Sequence, residues 1–525
     1  MHPSIEDNLN LISKNNLESK LGIGKVGIEK ESLRTDKSGV ISNTDHPIAL
    51  GSALTHPYIT TDYSEALLEF VTPAHETAEQ AMKFLGQIHH FVYPNLINEC
   101  LWPASMPCKL NGEQSIRIAE YGCSNLGLMK NIYRRGLGYR YGKVMQVISG
   151  IHVNLSMPEE FWPQWQENLG SKISKQEFIN HQYFKLIRNL QRIGWLVPYL
   201  FGASPAVDKS FSHQGVKDLQ KLDENTLYAT NATSLRLGDI GYTNSRENEI
   251  GIQACYDNLP DYVSCLSKAI ETPYKPYEDI GIKVNGEYRQ LNANILQIEN
   301  EYYSTVRPKQ LARRNEKPTH ALLDRGVQYV EIRSLDLNPF SPYGLTIEQL
   351  RFFEVMFVYC LLAEDDLIDR KEREEIDINQ YEVTHHGRKA DLYLRNNDES
   401  TKLQTLAKGI FASLIVVAET MDRNDGKYVK AIKQFYPSVD SVENTFSAQL
   451  LSAMRDNKLS YYEYIESLGI KYCEYFSKQE KCETTACVIS DEVERSILRQ
   501  KELEDSDEKN FDVFLKNYFA KSYPA

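Results

Sequence analysis

Residues 145–156 read MQVISGIHVNLS. In a strand, successive side chains point to opposite faces. One face would carry Gln146, Ile148, Gly150, His152, Asn154 and Ser156, and the other Met145, Val147, Ser149, Ile151, Val153 and Leu155. The same division recurs along the chain. In KVGIEKESL at 25–33, Glu29 and Glu31 share one side and Val26 and Ile28 the other. In VQYVEIR at 327–333, Tyr329, Glu331 and Arg333 alternate with Val330 and Ile332. LLEFV at 67–71 adds Glu69, QLNANILQIE at 290–299 adds an Asn/Gln-rich run, and TSLRL at 233–237 adds Arg236. An antiparallel sheet with one wet face explains any single strand of this kind. The recurrence of Glu, His and Arg on several strands fits a different shape better. A mostly antiparallel sheet curved into a funnel, its concave face lined with carboxylates, would gather them in one cavity held together by cations.

Outward from these strands, residues 1–345 mix short strand-like runs with helices, and 346–525 read as mainly helical. Apolar residues recur with helical spacing over 346–365, 401–422, 443–470 and 490–520. The expected class is therefore α+β, with a sheet-bearing core over 1–345 and a mainly helical 346–525 packed on it across a soft boundary. The charged stretch EDDLIDRKEREEIDI at 364–378 reads as an exposed connection or helix face.

Bulk composition excludes several function classes. The 525 residues carry a net charge of -13 and no long Lys/Arg cluster, so a surface that tracks nucleic-acid phosphates is not expected. The start, MHPSIEDNLNLISKNN, lacks the positive and apolar regions of a secretory signal. The most apolar windows, 352–363 and 409–418, are shorter than a bilayer requires. A cytoplasmic protein with no membrane association is expected. Nine cysteines show no CxxC or zinc spacing and read as buried or free thiols, with a Cys482–Cys487 disulfide left open.

Gly22-Ile-Gly24-Lys-Val-Gly27 satisfies G-x-G-x-x-G, but it runs into a strand rather than opening a helix, so it is no dinucleotide site. No P-loop, G-x-S-x-G elbow or H-E-x-x-H occurs. What remains is a set of hard oxygen ligands with one imidazole: Glu29, Glu31, Asp62, Glu69, His152 and Glu331. Such sets hold Mg²⁺ at sites of phosphoryl transfer, although each acid alone reads more readily as a surface charge and His152 alone as a structural histidine. Hydrolysis at a multi-metal carboxylate site is the competing chemistry.

At these residues the chain resembles the glutamate–cysteine ligase family of proteobacterial type. The matching motifs include IEKESLR at 28–34, GSALTHPYITTDYSEALLEFVTP at 51–73, LWPASMPC at 101–108 and IYRRGLGYRYG at 132–142. They continue with MQVISGIHVNLS, GWLVPYLFGASPA at 194–206, TSLRLGDIGYTN at 233–244, LQIENEYYSTVRPK at 296–309 and YVEIRSLDLNPFSP at 329–342. Beyond residue 345 or so the likeness is weaker, as in GRKADL at 387–392.

The resemblance implies a core similar to glutamine synthetase, a funnel-like, mostly antiparallel sheet surrounded by helices, with 1–345 as the catalytic core. It implies ATP-dependent ligation of glutamate's γ-carboxylate to the amine of cysteine through γ-glutamyl phosphate, the first step of glutathione biosynthesis. It also implies Mg²⁺, or Mn²⁺ in its place, held by Glu29, Glu31, Asp62, Glu69, His152 and Glu331. Arg333 would steady the phosphoryl group, its ordinary alternative being an ion pair with Glu331. Arg134 would assist or hold glutamate. The cysteine pocket would involve Tyr133, Leu137, Gln146, Ile148, Arg236, Tyr242 and Tyr303. Feedback inhibition by glutathione is a further family expectation. A ligase with another amine acceptor, or a silent amino-acid-binding homologue, are the alternatives.

Overall fold

The structure, a computed structural model, describes residues 3–211, 219–241, 254–313, 316–397, 399–422, 425–478, 483–507 and 510–520. Its centre is one antiparallel sheet. Five strands come first: β1 (Lys25–Asp36), β2 (Ile59–Thr61), β3 (Leu67–Val71), β4 (Glu99–Leu101) and β5 (Ile151–Ser156). Short strands β6, β7 and β8 within 206–228 and β9 and β10 within 283–288 form smaller sheets; β11 (Val306–Lys309) and β12 (Tyr329–Leu335) complete the main one. The order is β11-β12-β5-β1-β3-β2, with β4 paired to the far end of β1.

This register gathers the acids. Glu29 lies opposite His152 and Glu31 opposite Glu69, while Asn154 faces both Gly27 and Glu331. The alternate residues Val26, Ile28, Val153, Leu155, Val330 and Ile332 are buried in the main apolar cluster. The strands that carry them pack on the helices Ala78–Val92, Lys175–Ile193 and Ile347–Leu362, so burial of the apolar face fixes which side the acids occupy.

The alternating strands at 25–33, 67–71 and 327–333 are strands as expected. Three other segments are not. Residues 145–147 form a 3-10 turn and the strand begins only at Ile151, because Ser149 N donates to Ser105 O and Gly150 N to a Glu31 carboxylate oxygen rather than to a neighbouring strand. Residues 235–237 are a 3-10 turn capped by Ser234. Segment 290–299 contains no strand and ends in the start of a 3-10 turn.

The helical stretches also break where the backbone dictates. The 443–470 stretch divides into Phe446–Asn457 and Tyr461–Lys478 at Lys458, which sits at φ +54°. The 490–520 stretch divides into Glu483–Asp505 and Phe511–Ala520. Of the charged run, Asp369 caps a helix over Arg370–His386 and the residues before it connect. The 409–418 window lies in a longer helix, Leu403–Met421, which by length and composition alone could cross a membrane. One side of it packs on the helices Ile347–Leu362 and Lys427–Phe435, as a core helix would. Gly27 lies inside β1, and no helix follows the glycines.

Candidate active site

A cavity of about 390 Å³ opens on the acidic face of the sheet. Glu29, Glu31, Asp62, Glu69, His152 and Glu331 all line it. His152 sits in their midst, with Nδ1 3.1 Å from Glu29 and 3.6 Å from Glu331, and Nε2 3.8 Å from Glu31. Ligand atoms of Glu29, His152 and Glu331 lie within 4.8 Å of one another. Opposite ligands of an octahedral Mg²⁺ stand about 4.2 Å apart, twice the metal–oxygen distance, so small inward shifts would let these three hold one ion.

The acids are not neutralised by one another. Burial, and then the charges of Glu29, Asp62 and Glu31, push the Glu69 carboxyl well above its usual range. Burial raises Glu31 as well. Burial acts the same way on Glu331, but Lys309, Arg333 and His152 outweigh it and hold that carboxyl below its usual range. Glu29 is also lowered, because burial, the largest influence, is outweighed by the hydrogen bond from His152 together with the charges of His152 and Lys309. A donor set of hard oxygens at which several carboxylates repel one another is suited to divalent cations.

Cations ring the same space. Arg333 NH1 stands 3.3 Å from Glu331, so the ion pair expected as its ordinary alternative is present. Its buried Nε has no hydrogen-bond partner among the described residues. Arg236 is 2% exposed. It donates to the Arg333 carbonyl at 2.9 Å and lies 3.5 Å from Asp336, while its Nε is likewise unpartnered. Gly150 makes room for it, since a Cβ there would lie 2.0 Å from the guanidinium. Arg134 is fixed by the carbonyls of Asp62 and Lys130 and lies 4.8 Å over the Tyr121 ring.

Of the residues expected at the acceptor pocket, Tyr133, Leu137, Gln146, Arg236 and Tyr303 line the cavity. Ile148 does not; it is fully buried in a second apolar cluster with Leu33 and Tyr63. Tyr242 lies outside the described residues, as do Cys482 and the side chain of Cys487.

The sequence reading passed over Lys130, Arg307 and Lys309, which also line the cavity. Lys309 stands 3.5 Å from Glu331, and Arg307 is the register partner of Glu331. Burial lowers the Lys130 amine to about 8. The signals were available: Lys130 precedes Arg134 by one helical turn, and Arg307 and Lys309 sit two apart in VRPK.

Buried charges of both signs, converging on one cavity with polar atoms left over, mark an enzyme that handles charged small molecules. The comparisons with known proteins give the particular kind. The family model for glutamate–cysteine ligase matches residues 9–383. The glutamate–cysteine ligase of Alcanivorax borkumensis is 42% identical over 500 residues, covering 94% of this chain and 95% of that one. The Pseudomonas aeruginosa enzyme of the same name is 42% identical over 496 residues, with 94% of each chain covered. The crystal structure of Francisella tularensis glutamate–cysteine ligase in complex with AMP superposes with a TM-score of 0.89 at 34% identity, over 95% of this chain and 98% of that chain. A bifunctional glutathione synthetase from Pasteurella multocida gives 0.71 at 25% identity, over 89% of this chain and 55% of that one. The chain belongs to the glutamate–cysteine ligase family.

Proposed function

We propose that the protein joins the γ-carboxylate of L-glutamate to the amine of L-cysteine, using ATP and releasing ADP and phosphate. The product, γ-glutamylcysteine, is the first intermediate on the way to glutathione. Besides family membership, one observation carries the reading at the site. Five carboxylates and His152 face Arg333 and Arg236 across a single cavity, and both guanidinium groups keep an unpartnered Nε.

A carboxylate does not acylate an amine at neutral pH, because its oxygen is a poor leaving group. A γ-carboxylate oxygen attacks the γ-phosphorus of ATP, the β,γ-bridging oxygen departs with ADP, and an acyl phosphate results. The cysteine nitrogen then attacks the acyl carbon and phosphate leaves.

Glu29, Glu31, Asp62, Glu69, His152 and Glu331 would hold Mg²⁺, or Mn²⁺ in its place, which when bound neutralises phosphate charge. Arg333 stays a full cation, since Glu331 and Glu31 outweigh its burial, and it is placed to steady the transferring phosphoryl group. Arg134, held rigid by two carbonyls, assists there or grips glutamate. Arg236 takes the α-carboxylate of cysteine as a fork, with Tyr133, Leu137, Gln146 and Tyr303 walling the thiol.

The sheet is read as a glutamine-synthetase-like funnel whose concave face is this acidic one. The division at 345 separates core from helical part only topologically, and residues on both sides of it share one apolar cluster. A cytoplasmic location and feedback by glutathione, which contains the product dipeptide, complete the reading.

The test is ADP release. It should require glutamate and cysteine together, with Mg²⁺. Release with a different amine in preference to cysteine would indicate another acceptor. Amino-acid binding without any ADP release would make the chain a silent homologue.

A further inference from the structure

Away from the cavity, β4 and the helix Tyr461–Lys478 meet at unusually short range. β4 is hydrogen-bonded to the distal end of β1, with Thr35 opposite Cys100. The helix approaches β4 because residue 469 is glycine. A Cβ at Gly469 would stand 3.3 Å from the Leu101 carbonyl oxygen and 3.5 Å from Pro103 Cδ. Cys473 lies one helical turn further along the same face. Its thiol and that of Cys100 hydrogen-bond each other, and both residues are partly exposed.

We propose that Cys100 and Cys473 are a redox modification site, a thiol pair that closes to a disulfide in the presence of a low-molecular-weight disulfide. The direction of attack follows from the contact. The hydrogen bond from Cys100 lowers the Cys473 thiol to about 7, and the same bond pushes Cys100 up. Cys473 is therefore the thiolate and nucleophile. Its sulfur attacks one sulfur of the small disulfide, whose S–S bond breaks and releases one thiolate, which takes up a proton. Cys100 then attacks the Cys473 sulfur of the mixed disulfide, gives its proton to solvent and displaces the second thiol. Two electrons pass from the protein pair to the small disulfide, leaving one protein disulfide and two small thiols.

The other described cysteines are worse placed. Cys108 and Cys360 are buried, with thiols pushed up by burial. Cys255 and Cys265 are partly exposed and near each other, but burial raises the Cys255 thiol to about 11, so that pair has no comparable nucleophile. Cys123 is exposed and should stop at a mixed disulfide.

The link would join residues far apart in sequence and restrain the unfolded chain more than the folded one. Neither cysteine lines the cavity. The oxidised protein should thus be the more heat-resistant form and remain active.

The experiment uses the full chain, reduced, desalted and then incubated with oxidised glutathione. Digestion without reductant, followed by mass spectrometry, should find a peptide joining Cys100 to Cys473 and bearing no glutathione, reversed by reductant. Tm should rise by several degrees with activity within about twofold of the reduced form. Cys100→Ser should trap glutathione on Cys473, and Cys473→Ser should leave Cys100 unmodified. A linked peptide through other cysteines, or glutathione retained on wild-type Cys473, would overturn the proposal, and neither measurement depends on a variant folding.

Discussion

β1 carries buried charge at both ends, and the two ends treat it in opposite ways. At the β4 end, Arg34 is fully buried and its guanidinium is almost completely used. It donates to Glu99 at 2.6 Å, to Thr44 Oγ1 at 2.6 Å, and to the carbonyls of Thr44, Asp45 and Glu65. Glu99 in turn accepts from Ser42 and from Thr44. At the cavity end, Glu29 and Glu31 face Glu69, Asp62 and Glu331, and the carboxyl of Glu69 is displaced upward by its neighbours. The first arrangement is satisfied almost wholly within the protein, with Nε alone of the Arg34 guanidinium nitrogens left without a partner among the described residues. The second becomes complete only with cations and an anionic substrate. A buried charge whose partners all come from the chain serves the fold, and one whose partners are missing marks a site.

The largest effect should therefore come from the end that does no chemistry. Arg34→Ala leaves Glu99 buried and unpaired, which costs about 3–5 kcal/mol, a large share of the stability of an ordinary domain. A denaturant melt should show it. Arg34→Lys should recover only part, because an ammonium cannot reproduce the fork. A wild-type melt for Arg34→Ala would remove the contrast altogether.

At the other end the effect should move from stability to rate. Arg333→Ala leaves the acids in place and should lower kcat by about 10²–10³, or roughly 2.7–4 kcal/mol of barrier, with little change in melting. Glu331→Gln should instead raise the Mg²⁺ requirement and be partly rescued by excess metal. Identical metal titrations for the two variants would mean that they do not flank the same phosphoryl group.

The same contrast explains which parts of the molecule were legible in the sequence. Strands 25–33, 67–71 and 327–333 follow the two-residue period because their apolar side is buried on helices. Segment 290–299 imitates that period for another reason. Its amides replace ladder partners: Gln297 accepts from Leu291 N, Asn292 accepts from Asn294 N, and Asn292 donates to the Gln297 carbonyl. Arg140 then binds Gln290, Glu301 and the Asn292 carbonyl from the helix Asn125–Tyr141. Alternation of amides therefore recorded a loop scaffold, which no periodicity can distinguish from a wet strand face. The six acid and imidazole positions were legible because they stand out chemically. Lys130, Arg307 and Lys309 carried only a spacing signal, and a basic residue on a helix or edge strand is ordinary until the fold shows what it faces. Ile148, taken with the pocket by motif, belongs to the core because its segment turns instead of extending.

Arg236 sharpens the comparison, because it is buried and only partly used. Asp336, its buried acidic neighbour at 3.5 Å, keeps the hydrogen bonds from Ala203 N, Ser204 and Ser234 when Arg236 is removed, so Arg236→Ala should cost less stability than Arg34→Ala, which breaks a 2.6 Å pair. The loss should fall on the ligand. The KM for cysteine should rise about 10–150-fold, the scale of a charge-assisted pair worth roughly 1.5–3 kcal/mol. An unchanged cysteine KM with an altered ATP KM would move Arg236 to the nucleotide.

The smallest expected effect comes from a buried acid that fits neither end of β1. Glu354, on the helix Ile347–Leu362, is 3% exposed and does not line the cavity. Burial, and then the charge of Glu79, raises its carboxyl to about 7, against a pull from the Tyr428 hydroxyl, Lys427 and Arg351. Arg351 is itself engaged with Glu79. Protonation, rather than a ligand or a paired cation, relieves this acid. Because the folded value lies above the usual 4.5, the folded state binds the proton more tightly than the unfolded chain. The stability this gives is fully present below the unfolded value and is lost as pH rises through about 7. Glu354→Gln cannot ionise, so its stability relative to wild type should improve progressively from pH 5 to pH 8, by on the order of 1–3 kcal/mol, and then level off. Steady-state kinetics at pH 7 should stay close to wild type. A pH-independent difference in melting would show that Glu354 is satisfied like Glu99, and a collapse in kcat would place it with the cavity acids.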